Sequence, residues 1–183
     1  MDAEKPAPAP IKTLGLVLLA MSTTATANPA CHGKLAFLQA YAGSYESQEL
    51  LSEPDVTRHL ENLPVTVLKH LRKNLNVSGP VDLVSCHLVV TGNAVSGGGN
   101  EDAIIDIDLF SGAVVAGLHA SIRTDVYAAD PDYRHLPIAV RDWLAVVADR
   151  FLNRVHPPLR MRLLSLPERP IQSMESTHKL RKK

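Results

Sequence analysis

Residues 102–122 read DAIIDIDLFSGAVVAGLHASI, and this stretch decides the fold. Ala103, Ile105, Ile107 and Leu109 fall on one side of a period-two alternation, with Asp102, Asp106 and Asp108 on the other. Successive strand side chains point to opposite faces, so the spacing predicts a strand with one apolar face and one wet, acidic face. Ile104 is the exception, apolar on the acidic side. Ser111-Gly112 predicts a tight turn, and Ala113 to Ile122 a second strand returning along the first. One-sided burial is what an antiparallel β-sheet with helices packed on one face requires, so the expected class is α+β.

Working outward, Val81 to Thr91 (VDLVSCHLVVT) predicts one more strand, and Gly92 to Asn100 a loop containing Gly97-Gly98-Gly99. A shorter strand is expected near Thr124 to Ala128. Upstream, Lys34 to Ala42 reads as a helix. Pro54 suits the first position of another, with Asp55 complementing its dipole and Val56, Leu60 and Leu63 on its apolar side. Pro64 breaks that helix, having no N–H to donate, and a further one follows to about Leu75 through Val65, Leu68 and Leu71. Downstream, Asp130-Pro131-Asp132 marks a turn. Pro137 opens an amphipathic helix to about Leu152 with Val140, Trp143, Leu144, Val147 and Phe151 inward.

The N-terminus has the three parts of a cleavable signal peptide over residues 1–27: Lys5 and Lys12, an apolar run from Leu14 to Met21, and Ala25-Thr26-Ala27 as an A-x-A site. That run is short of the roughly 20 residues a membrane-spanning helix needs. Residues 28–152 then read as a single α+β domain. Residues 153–183 are proline-containing and basic, without an apolar period, and read as a disordered tail apart from a short extended stretch at Leu159 to Leu166. The expected localisation is periplasmic or secreted, with no transmembrane span in the mature chain. Nineteen Lys and Arg balance 19 Asp and Glu, so overall charge predicts no nucleic-acid partner, and a homo-oligomer is left open.

The two cysteines, Cys31 and Cys86, allow one intramolecular pairing, which an oxidising compartment permits. Cys86 lies within an apolar strand-like run, where a buried free thiol is the plainer expectation. Cys86 and His87 are strand neighbours on opposite faces, so they do not form a nucleophile–base pair. A two-residue Ser111-Gly112 turn would make Asp106 and His119 diagonal neighbours, a candidate acid–base pair; period-two carboxylates are otherwise what a solvated hairpin face carries. His32, His59, His70, His87, His119, His135, His156 and His178 are scattered without zinc-ligand spacing. The triple-glycine loop lacks the Gly-Lys-Ser/Thr of a phosphate cradle. No catalytic residue, cofactor or metal site is expected, and the chain does not read as an enzyme.

From Tyr45 to Ala120 the order of features resembles the periplasmic inhibitor of vertebrate lysozyme family. YESQELLSEPDVTRHLENL, LRKNLNVSGPVDLV and EDAIIDIDLFSGAVVAGL carry the resemblance, with YAADPDYRHLPIAVRDWL as its closing helix. It implies a periplasmic α+β domain acting by protein–protein contact. It also implies a loop between the first two strands with a Cys-x-Pro-His-x-Cys motif, whose disulfide stiffens it and whose histidine enters the lysozyme cleft. Aligned on Gly92, this chain has Asn93 and Gly98 in place of the cysteines and Val95-Ser96 in place of Pro-His. Losing that crosslink gives up roughly 2 kcal/mol of chain restriction. The expected contact element is Gly92, Asn93, Ala94, Val95, Ser96, Gly97 and Gly98, and the expected partner a lysozyme or another cell-wall glycosidase. The alternative is a non-inhibitory envelope protein binding another partner or a small molecule.

Overall fold

A computed structural model describes residues 30–95, 100–152 and 160–166. The expected signal peptide and most of the expected basic tail lie outside the described residues. Among them, a six-stranded sheet runs in sequence order: β1 (Asp82–Val84), β2 (His87–Asn93), β3 (Glu101–Asp108), β4 (Val114–Ala120), β5 (Arg123–Ala128) and β6 (Arg160–Ser165). The first five strands pair antiparallel, and β6 pairs parallel to β5. A parallel neighbour needs a crossover, and the helix α4 (Ile138–Leu152) lies between those two strands in sequence.

The apolar face of the hairpin packs as its alternation requires. Leu88, Val90, Ala103, Ile105, Ile107 and Ala116 meet the N-terminal helices, α1 (Ser47–Ser52), α2 (Pro54–Leu60) and α3 (Val65–Asn74), together with a 3₁₀ turn at Ala36–Tyr41. Pro54 opens α2 and Pro64 stands just before α3, each proline placed where its missing N–H costs nothing. The helix expected at Lys34 to Ala42 is the shorter 3₁₀ turn, and α1 is an element the periodicity did not announce.

The α+β class and the antiparallel sheet are as expected, but the helices cover both faces. Val89, Ile104, Val115, Val126 and Ala128 form a second core with Val140, Trp143, Leu144 and Val147 of α4. Ile104, the lone apolar residue among the acids of β3, is at its centre. Gly117 stands between Ile104 and Val126 in the strand register. A Cβ on Gly117 would lie 2.7 Å from both Ile104 Cγ2 and Trp143 Cζ3, so the bare backbone here is what seats the indole. Asp102 and Asp106, expected in water, are each 1% exposed beneath this layer.

Three other expectations are corrected. Val81 to Thr91 is not one strand: Ser85 and Cys86 have φ of 50° and 64° and form a two-residue turn between β1 and β2, with Val84 opposite His87. Cys86 is not a free thiol either; it is disulfide-bonded to Cys31 with the Cα atoms 5.5 Å apart. The β3–β4 turn is also longer than two residues. Asp108 N–H donates to Ala113 O, Gly112 N–H donates back to Asp108 O, and the register places Asp106 opposite Val115 and Asp102 opposite His119.

Candidate functional site

Gly92 and Asn93 are the last two residues of β2, paired with Ala103 and Asp102 of β3, and Ala94 and Val95 follow the strand. Gly92 is held against the C-terminal end of α3 so closely that a Cβ would lie 2.6 Å from Asn74 O and 2.9 Å from Val77 O. These are backbone atoms and cannot swing away, so glycine is required there. Asn93 N–H donates to Val77 O at 3.1 Å, and buried Ala94 donates to Glu101 O at 3.1 Å. Val95, by contrast, is 79% exposed. Ser96, Gly97 and Gly98 lie outside the described residues.

Beneath the loop is a polar cluster that the sequence reading did not anticipate. With its amide nitrogen turned inward, the Asn93 side chain donates to Asp102 Oδ1 at 2.5 Å. Arg150, in the last turn of α4, donates to Asp102 Oδ2. His119, directly opposite Asp102, shares a hydrogen bond of 2.9 Å between Nδ1 and Thr124 Oγ1. Burial pulls the His119 imidazole below its usual pKa; the Asp102 charge opposes this and the Arg150 charge adds to it. One signal for Arg150 was present. It falls at i+7 from Trp143 and i+3 from Val147, on the inner stripe of the helix, where a cation implies an acidic partner.

The Asp106/His119 pair entertained from the sequence does not form, because the longer turn shifts the strand register. Asp106 instead meets His87, with Nδ1 and Oδ1 2.6 Å apart. This hydrogen bond raises the His87 pKa against the opposing effect of burial. Burial works to raise the Asp108 carboxyl, but hydrogen bonds from the Ser111 hydroxyl and the Phe110 and Ser111 N–H groups outweigh it. At the sheet edge Asp125 accepts from Arg123 and from both Arg162 Nε and Nη2, which ties β6 into the sheet. Among the described residues no three His, Cys, Asp or Glu side chains are grouped to hold a metal ion.

A disulfide-bearing α+β domain in which Gly92, Asn93 and Ala94 are fixed and Val95 is exposed is thus in place. The family model for the inhibitor of vertebrate lysozyme (Ivy) matches residues 55–149, more than half of the 183-residue chain. The chain belongs to the Ivy family. The matched region runs from α2 through most of α4 and includes the β2–β3 loop. Neither the curated proteins nor the solved structures contain a match to this chain. Among the described residues no helix is long and apolar enough to cross a membrane.

Proposed function

We propose that this Ivy-family protein is exported and acts by protein–protein contact on a lysozyme or a related cell-wall glycosidase, with Gly92 to Gly98 as its contact element. It performs no catalysis in this reading. The observation that carries it is the contrast between a fully tied base and an exposed apolar residue above it. Gly92, Asn93 and Ala94 are fixed by backbone and side-chain bonds, while Val95 is 79% exposed. Fixing the base limits the ordering cost that binding would otherwise incur. This anchoring stands in for the crosslink that Asn93 and Gly98 cannot make.

Export is supported by the tripartite N-terminal segment and by the Cys31–Cys86 disulfide, a bond that persists in oxidising compartments. With Val95-Ser96 where the family motif has Pro-His, the contact is apolar and lacks an imidazole, so a weaker or redirected affinity is expected. Calorimetric titration of the protein against a vertebrate C-type lysozyme tests this. Burying Val95 is worth about 1.5 kcal/mol, so Val95→Asp is expected to weaken binding by about tenfold or more. Binding that is indifferent to Val95→Asp and to replacement of residues 93–98 would place the contact elsewhere.

A further inference from the structure

At the opposite end of the sheet from the Gly92–Gly98 loop, where β2 begins, two adjoining hollows open on the α4 face. The inner one has a volume of about 70 Å³ and apolar walls from Val84, Pro137, Ile138 and Ala139. The outer one, about 230 Å³, is rimmed by Asp108, Asp130 and His135. His87 and Asp106 line both. Neither hollow has a lysine or arginine in its lining.

Most of the polar groups here are already engaged. Asp108 is held by its own turn, Asp130 pairs with His135 at 2.7 Å, and Asp106 Oδ1 takes the hydrogen bond of His87. Among the buried polar atoms of this lining the exception is Asp106 Oδ2. Asp106 is 1% exposed, and this oxygen has no hydrogen-bond partner. A buried carboxylate oxygen left without a donor is costly, and folds rarely retain one without use.

We propose that this groove binds an N–H-bearing cation on an aliphatic stem, a guanidinium or alkylammonium group that donates to Asp106 Oδ2. Three carboxylates against two imidazoles exclude an anion by repulsion. The apolar walls fit the methylene stem, as arginine and lysine stems lie along apolar surface elsewhere. The head group replaces the missing donor, and its charge is matched by the rim. The source is either an arginine or lysine side chain on a partner peptide, or a free alkylamine. The site is separate from the β2–β3 loop and does not depend on how that loop functions.

The test is a titration of the full chain with Nα-acetyl-arginine amide, Nα-acetyl-lysine amide and butane-1,4-diamine, followed by amide and imidazole NMR shifts. Saturable binding is expected for at least one probe, with the largest shifts at His87 and Ala139. Asp106→Asn should weaken it by about tenfold or more, whereas Glu61→Gln, an exposed change in the turn just after α2 on the other face, should leave it unchanged. Ile138→Trp narrows the mouth without touching the His87–Asp106 pair and should also block binding, so the result does not hinge on how Asp106→Asn folds. Tighter binding of the amino-acid amides would assign a peptide partner, and tighter binding of the diamine a small amine. No saturable binding, or equal binding by Asp106→Asn and Ile138→Trp, would overturn the proposal and leave the hollow to water.

Discussion

The Asp102 carboxylate of β3 takes a hydrogen bond from Arg150 of α4, 48 positions later in the sequence. The pair fastens the C-terminal end of the covering helix to the strand that carries the base of the β2–β3 loop. Removing the cation strands a carboxylate that is 1% exposed. Breaking a fully buried pair costs about 3–5 kcal/mol; Arg150 keeps some contact with water, so Arg150→Met should cost about 2–3 kcal/mol. Urea denaturation measures this directly. Adding Asp102→Asn to Arg150→Met should recover part of the loss, because the stranded charge is gone.

The Cys31–Cys86 disulfide spans 55 positions and ties the segment before the first 3₁₀ turn to the β1–β2 hairpin. Chain-entropy reasoning gives a crosslink of that span about 4 kcal/mol of stabilisation. The double variant Cys31→Ser, Cys86→Ser should lose stability of this order. Wild-type protein under reducing agent should show the same fall in melting temperature, and the variant should not respond to the reagent.

His87 and His119 should drive the pH dependence of stability in opposite directions. The His87 pKa is raised from 6.5 in the fold by its hydrogen bond to Asp106. Its contribution is therefore complete below about pH 6.5 and is lost as pH rises through the higher folded value. The His119 pKa is lowered from 6.5, chiefly by burial. Its contribution is present above about pH 6.5 and is lost as pH falls toward the lower folded value. Imidazole NMR titration should place the two midpoints on either side of 6.5. His87→Gln should leave a stability profile that declines toward acid pH.

How much of this was legible depends on the range of the interaction concerned. Pro54, Pro64 and the run from Val140 to Val147 act within a turn or two of helix, so α2, α3 and α4 were readable from the chain. The alternation of Ala103, Ile105 and Ile107 located the main core. The second core was not readable, because period two says which residues share a face and not what covers that face. Ile104 was its one local sign. The burial of Asp102 and Asp106 depends on Arg150 and His87, partners distant in sequence. The Ser85–Cys86 turn lacks the Asn or Gly that usually supplies positive φ; here its second residue is instead crosslinked to Cys31. The Gly92 to Gly98 segment was proposed from the sequence as the contact element, but the anchoring of Asn93 to Asp102 was not readable there, because Asp102 is brought to it only by strand pairing.

The most direct test is cell-wall lysis by a vertebrate C-type lysozyme titrated with the purified protein, beside the Val95→Asp variant as reference. Dose-dependent inhibition by the wild type, shifted to higher concentration by about tenfold in the variant, is the expected result. Undiminished lysis at large molar excess, or identical inhibition by the two proteins, would contradict the assignment of the β2–β3 loop as an inhibitory contact.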